Sequence, residues 1–193
     1  MDRYEVTKQL WDHVRTWNGG NGYTDLPVGS GKGPTHPVQS INWYEMVKWC
    51  NARSQRDMVP VYYTNDAQTV IYKTGYENLT NAQVKWSASG YRLPTEAERE
   101  KAARGGTSGH RFPWSNVETI THSQANYRSL SGYSYDISPT SGYHPTYAVG
   151  GYPYTSHVGS FAPWVWAVRH GRECVGVVLG QVWLGLLQQF SKH

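Results

Sequence analysis

The sequence predicts a mixed α+β fold, rich in loop and poor in regular elements. Three observations predict it. Hydrophobic residues are 38% of the 193 and charged residues 17%, while there are 20 Gly, 15 Tyr and 9 Trp. A chain short of aliphatics and rich in these types fills its core with aromatics between irregular segments. Helical periodicity appears in three separated stretches, and residues 112–163 show little periodicity of any kind. The length suffices for a domain with a real core. The aromatic content argues against disorder.

In chain order, Arg3-Tyr4-Glu5-Val6-Thr7 reads as a short strand. Residues 8–17 read as a helix with Leu10, Trp11, Val14 and Trp17 on one face. A Gly-rich loop follows, broken by Pro27, Pro34 and Pro37. It is no phosphate-binding loop, because no strand leads into it and Gly31-Lys32 lacks the upstream glycine spacing. Residues 42–53 read as a second helix, with Trp43, Met46, Val47 and Cys50 as its apolar stripe and Glu45, Lys48 and Asn51 facing outward. Val59–Tyr63 and Thr69–Tyr72 alternate as a hairpin would. Thr95-Glu96-Ala97-Glu98 is a capping box opening a third helix to about Arg104, ended by Gly105-Gly106. From Phe112 to Pro163 the sequence predicts a long ordered loop with one or two short strands. It is pinned by aromatics that include Phe112, Trp114, Tyr127, Tyr143 and Tyr152.

Charge and cysteine content narrow the function classes. The net charge is +4 and the pI about 9.0. The Lys and Arg form no run or stripe, so nucleic acid is not an expected partner. Two cysteines, Cys50 and Cys174, exclude a disulfide-rich scaffold and any Cys-built zinc site. No apolar run is long enough to cross a membrane. The N-terminus has no signal-peptide pattern, which implies a cytoplasmic protein if Met1 is the true start.

Several blocks, in order, carry a family resemblance. Tyr4-Glu5-Val6-Thr7 opens the series. His36-Pro37-Val38, Trp43-Tyr44 and Trp49-Cys50-Asn51 follow, then Tyr91 to Glu100 with Ala102-Ala103-Arg104-Gly105-Gly106. Phe112-Pro113-Trp114 comes next, with Ser115 where Gly is usual, then Ala125-Asn126 and Val158-Gly159-Ser160-Phe161-Ala162-Pro163. The block Arg92-Leu93-Pro94-Thr95-Glu96-Ala97-Glu98 is the most specific. Together these resemble the formylglycine-generating-enzyme, or sulfatase-modifying-factor, family over about residues 1–163.

The resemblance implies a C-type-lectin-like variant fold. It also implies an activity class: complete enzymes of the family are copper-dependent oxidases that use O2 to turn a cysteine of a sulfatase polypeptide into formylglycine. Other relatives are iron-dependent oxidases or non-catalytic binding domains, and fold alone does not choose among them. In the family a C-terminal thiolate pair binds Cu(I), which suits soft sulfur ligands. Nearby G-N-V-W-E-W, R-G-G-S and G-F-R segments build strands and, in many members, calcium sites. None of these strings is present; after Pro163 the chain reads Trp164-Val165-Trp166-Ala167-Val168-Arg169-His170-Gly171 and then Val-, Leu- and Gly-rich residues to His193.

Permitted codons from Trp164 to Gln181, read one frame over, recover the family string from G-F-G-L to W-C-W-D. His170 before Gly171 yields Met, Cys174 before Val175 yields Val, and Gly176 before Val177 yields Glu. The expectation is therefore a partial domain over 1–163, shortened at both ends, and a frameshifted tail over 164–193. No catalytic, cofactor-binding or metal-binding residue is assigned, and copper and calcium are not expected to bind.

Single residues fit this reading. Cys50, on the buried stripe, reads as a small core hydrophobe; in some relatives the matching Cys forms a disulfide. Cys174 lies in the tail. Among the eight histidines, His110, His122, His144, His157 and His170 form no i,i+4 helical pair and no H-E-x-x-H motif, and read as loop or surface groups. Asn78-Leu79-Thr80 fits a glycosylation sequon without a secretory context. Arg99 stands where the family usually has Trp; buried and unpaired it would be destabilising, and snorkelling would lessen that. The alternative to an inactive oxidase-type domain is a non-catalytic ligand- or protein-binding module.

Overall fold

The computed structural model describes residues 2, 4–17, 20–104, 108–112, 114 and 117–161. The elements are α1 (Lys8–Trp17), α2 (Trp43–Asp57), a short 3-10 turn at Asn81–Gln83, α3 (Glu96–Arg104), β1 (Arg128–Ser129) and β2 (Gly142–Tyr143). Everything else described is loop, turn or isolated bridge, the loop-rich α+β pattern expected. The chain divides after Pro94 into two compact units. No described helix is long and apolar enough to cross a membrane.

In residues 2–94, Thr7 caps α1: its Oγ1 accepts from Leu10 N–H at 3.1 Å. Trp11 and Val14 are buried as the periodicity predicts. Trp11 stacks on Trp49 of α2, centroids 5.5 Å apart and planes 4° from parallel, and Trp49 Nε1 donates to the Trp11 carbonyl at 3.3 Å. Stacked, buried indoles supply apolar area and an aromatic contact together. Asn42 and Glu45 form a reciprocal capping box that opens α2. This helix runs to Asp57, beyond the expected 53.

The outward assignment on α2 is corrected. Lys48 and Asn51 are fully buried and Glu45 nearly so, whereas Trp43, placed on the apolar stripe, is 42% exposed. The reason is that α2 is enclosed on more than one side: Val47, Trp49, Cys50 and Ala52 are all fully buried. Along this enclosed stretch Lys48 and Asn51 have no access to water, so they need partners inside.

The expected strand 3–7 is also corrected, with Arg3 outside the described residues. It reduces to one bridge, Thr7 to Pro37. Pro37 has no N–H to extend a ladder, and Lys8 already begins the helix. The expected hairpin shrinks likewise to the antiparallel bridges Tyr63–Ile71 and Tyr62–Val84. Gly90 is required by close approach, since a Cβ there would lie 2.1 Å from the Val59 carbonyl oxygen.

In residues 95–161, the Thr95 box forms as read: Glu98 N–H donates to Thr95 Oγ1 at 3.3 Å, and Thr95 N–H donates to Glu98 Oε2 at 2.8 Å. Gly105-Gly106, the expected helix stop, lie outside the described residues. Phe112, Trp114 and Ile120 are the buried centre. The Phe112 and Trp114 rings stack at 5.0 Å, and Trp114 Nε1 donates to the Thr119 carbonyl at 2.9 Å. The two short strands pair antiparallel, Arg128 opposite Tyr143 and Ser129 opposite Gly142.

Candidate functional site

Cys50 tests the thiolate expectation directly. It sits on α2 with no exposed surface. Burial pushes its thiol up to about 12; Arg53 opposes this weakly and Asp2 adds to it. Such a thiol stays protonated at neutral pH, while copper binds the thiolate. Cys50 therefore behaves as the core hydrophobe expected of it. Cys174, with Ala162, Pro163, His170 and the tail, lies outside the described residues.

The histidines divide. His110 meets Glu118 at 2.6 Å; the Arg111 backbone N–H, then His110, holds the Glu118 carboxyl below its ordinary range. His122 and His144 come together, with ring centroids 5.1 Å apart, which contradicts a surface reading of His122: it is buried at 6% exposure. His144 Nε2 faces the His122 carbonyl at 2.9 Å, and its Nδ1 accepts from Thr146 N–H at 3.1 Å. Those partners fix the neutral tautomer with the proton on Nε2. Burial lowers the His144 pKa. Both nitrogens of this ring are thus committed. Among the described residues no three His, Cys, Asp or Glu side chains converge as a metal site would need.

Two buried polar networks in residues 2–94 were not foreseen. Lys48 Nζ pairs with Asp25 at 2.6 Å and donates to the Gly75 carbonyl at 3.0 Å; Asp25 also accepts from Gly75 N–H at 2.7 Å. Asn51 Nδ2 donates to the Tyr62 and Tyr72 carbonyls at 2.7 and 3.0 Å. Its Oδ1 accepts from Val61 and Tyr62 N–H at 3.1 and 3.0 Å. Asn51 thereby replaces the ladder that the short bridges lack. These networks fasten loops to α2.

The pinning role of the late aromatics holds for Phe112 and Trp114 and fails for Tyr143 and Tyr152, which are 47% and 74% exposed. Tyr143 meets Tyr154 at 4.6 Å, Tyr154 meets Tyr152 at 6.1 Å, and the Arg128 guanidinium lies over Tyr143 at 5.4 Å. The sequence signal was available: tyrosine, serine and glycine far outnumber aliphatics there. Asn78 is exposed, and its Oδ1 accepts from Tyr44 OH at 2.7 Å.

Comparison with known proteins adds the following. The family model of the Sulfatase-modifying factor enzyme 1-like domain matches residues 1–184. The chain is 38% identical over 121 residues to Chaperone protein LppX of Paenibacillus barcinonensis, covering 60% of this chain and 39% of that protein. The solved structure of CarF matches with a TM-score of 0.53 at 29% identity, over 68% of this chain and 56% of the other. Treponema denticola variable protein 1 matches with a TM-score of 0.43 at 26% identity, over 65% of this chain and 50% of the other. The chain spans less than two thirds of the length of each of these relatives.

Proposed function

Because the chain belongs to the sulfatase-modifying factor enzyme 1-like family, we propose that it is a domain of this type that does not carry out cysteine-to-formylglycine oxidation. One observation carries this reading. The resemblance implies a copper site of two thiolates, and of the two cysteines in this sequence Cys50 is enclosed in α2 with no exposed surface. A thiol shut inside the core is not open to a metal shared with a second cysteine. The donor set does not fit copper, and no step is derived through it. An anaerobic Cu(I) titration against a chromophoric chelator tests this: the chelator keeps its metal if the reading is right, and tight capture by the protein overturns it.

The same reading extends to the tail. Residues 164–193 arise from a shifted reading frame, supported by the ordered family string recovered from permitted codons. The coding DNA decides the point, because codons from Trp164 that fail to spell that string in the shifted frame end the idea.

A second reading, a non-catalytic polypeptide-binding module, has its own support. One relative bears the name of a chaperone, and large rings such as Tyr152 stand in solvent. Its test is whether the purified chain, melting cooperatively, retains any polypeptide ligand.

A further inference from the structure

We propose that the face formed by Arg128, Tyr143, Tyr152 and Tyr154 binds an acidic segment of another polypeptide. This rests on the second reading above and gives it a place and a ligand chemistry. A quarter of residues 127–154 are tyrosine and about a third are serine or glycine. That composition is the one binding loops use: tyrosine offers a large amphipathic ring with few rotors to freeze, and serine and glycine let the loop shape itself around the anchor. Aromatic side chains together with arginine also dominate the energetics of protein interfaces.

The geometry makes a surface of these residues. Arg128 and Tyr143 are held opposite each other by the β1–β2 register. Tyr154 is tied in by Asn126, whose Nδ2 donates to its carbonyl at 2.9 Å. The rings follow in contact from Tyr143 through Tyr154 to Tyr152, and the outermost, Tyr152, is 74% exposed. Anchors held in this way lose little freedom when a partner arrives.

Charge selects the partner. Among the described residues no carboxylate pairs with Arg128, whose guanidinium lies over the Tyr143 face. Asp136, an acidic group in the same stretch, accepts from Tyr127 OH at 2.7 Å and from Ser138 N–H at 3.1 Å. The guanidinium fork thus stands ready for a carboxylate beside stacked rings, and guanidinium–carboxylate pairing is directional and bidentate. A lone arginine without a basic stripe does not suit a nucleic acid backbone.

The experiment applies the labelled full chain to an array of short random-sequence peptides and, in parallel, to an array of neutral and acidic glycans. The expected result is capture by peptides enriched in Asp and Glu. Affinity for one such peptide, measured by fluorescence anisotropy, then falls roughly 10-fold or more in Tyr152→Ala and Arg128→Glu, as truncating an anchor does. Tyr76→Ala, an exposed tyrosine in residues 2–94, leaves it unchanged. Tyr152→Ala carries the test if Arg128→Glu fails to fold, since Tyr152 projects into solvent. Peptide binding that ignores both variants, or shows no acidic preference, overturns this face while leaving the module reading standing. Glycan capture in place of peptide overturns the assigned ligand, and binding to neither array overturns both readings.

Discussion

Lys48 shows what a single buried charge demands of its surroundings. Its ammonium is enclosed and answered by Asp25, the Gly75 carbonyl and the ring of Tyr76 at 5.2 Å. Removing only the anion leaves a charge without compensation, which costs about 3–5 kcal/mol. Removing the cation leaves a half-exposed carboxylate that still accepts from Gly75 N–H. Asp25→Ala should therefore destabilise the protein clearly more than Lys48→Met, as measured by chemical denaturation. Equal losses would mean the pair is not the source of the effect. Asn51→Ala strands buried backbone groups at Val61, Tyr62 and Tyr72, and a loss of about 3 kcal/mol or more is expected in the same assay. Cys50 was legible as a core residue because a free cysteine on an apolar stripe is commonly buried. Lys48 and Asn51 were not. Helical periodicity assigns polar residues to water, and the partners that overrule it come from a loop more than twenty residues away for Lys48 and from bridge backbones for Asn51.

At the scale of elements, α3 is the most legible part of the chain. Its capping box is local, so residues 95–98 contain all the information needed. Thr95→Ala should cost about 1 kcal/mol, read as a lower melting temperature. Arg99 is partly buried on this helix, and burial lowers its pKa, with Glu96 opposing. Arg99→Trp removes a desolvated charge and should raise the melting temperature; an unchanged or lowered value contradicts that account. The bridges near Tyr62 and the β1–β2 pair were only half legible, because strand patterns do not reveal that a side chain such as Asn51 will replace ladder bonds. Around β2, His144 is held neutral. Its folded pKa is lowered by burial below the ordinary 6.5, so the unfolded chain takes the proton first. The stability this gives is present above about pH 6.5 and is lost as pH falls through the folded value. Melting scans from pH 7.5 to 5 should show a decline that His144→Gln reduces. A decline of equal size in that variant would assign it to other groups.

For the whole molecule, family membership was readable because its motifs are short, ordered and structural. The Arg92–Glu98 block fixes a loop and a helix start: Leu93 N–H donates to Tyr62 OH at 2.9 Å, and Glu98 closes the cap. These contacts build the fold, so recognising them names the family and leaves its activity to be argued from other residues. The composition of residues 127–154, with tyrosine, serine and glycine far above aliphatics, signalled exposed rings without saying which of them pack and which project. On the proposed reading the chain assembles no two-thiolate copper site and does not oxidise cysteine. The most direct measurement incubates the full chain with Cu(I), O2 and a sulfatase-derived cysteine peptide, and follows the peptide by mass spectrometry. The expected result is a cysteine that remains intact apart from simple disulfide formation. Oxygen-dependent appearance of formylglycine, abolished when the protein is omitted, would contradict it.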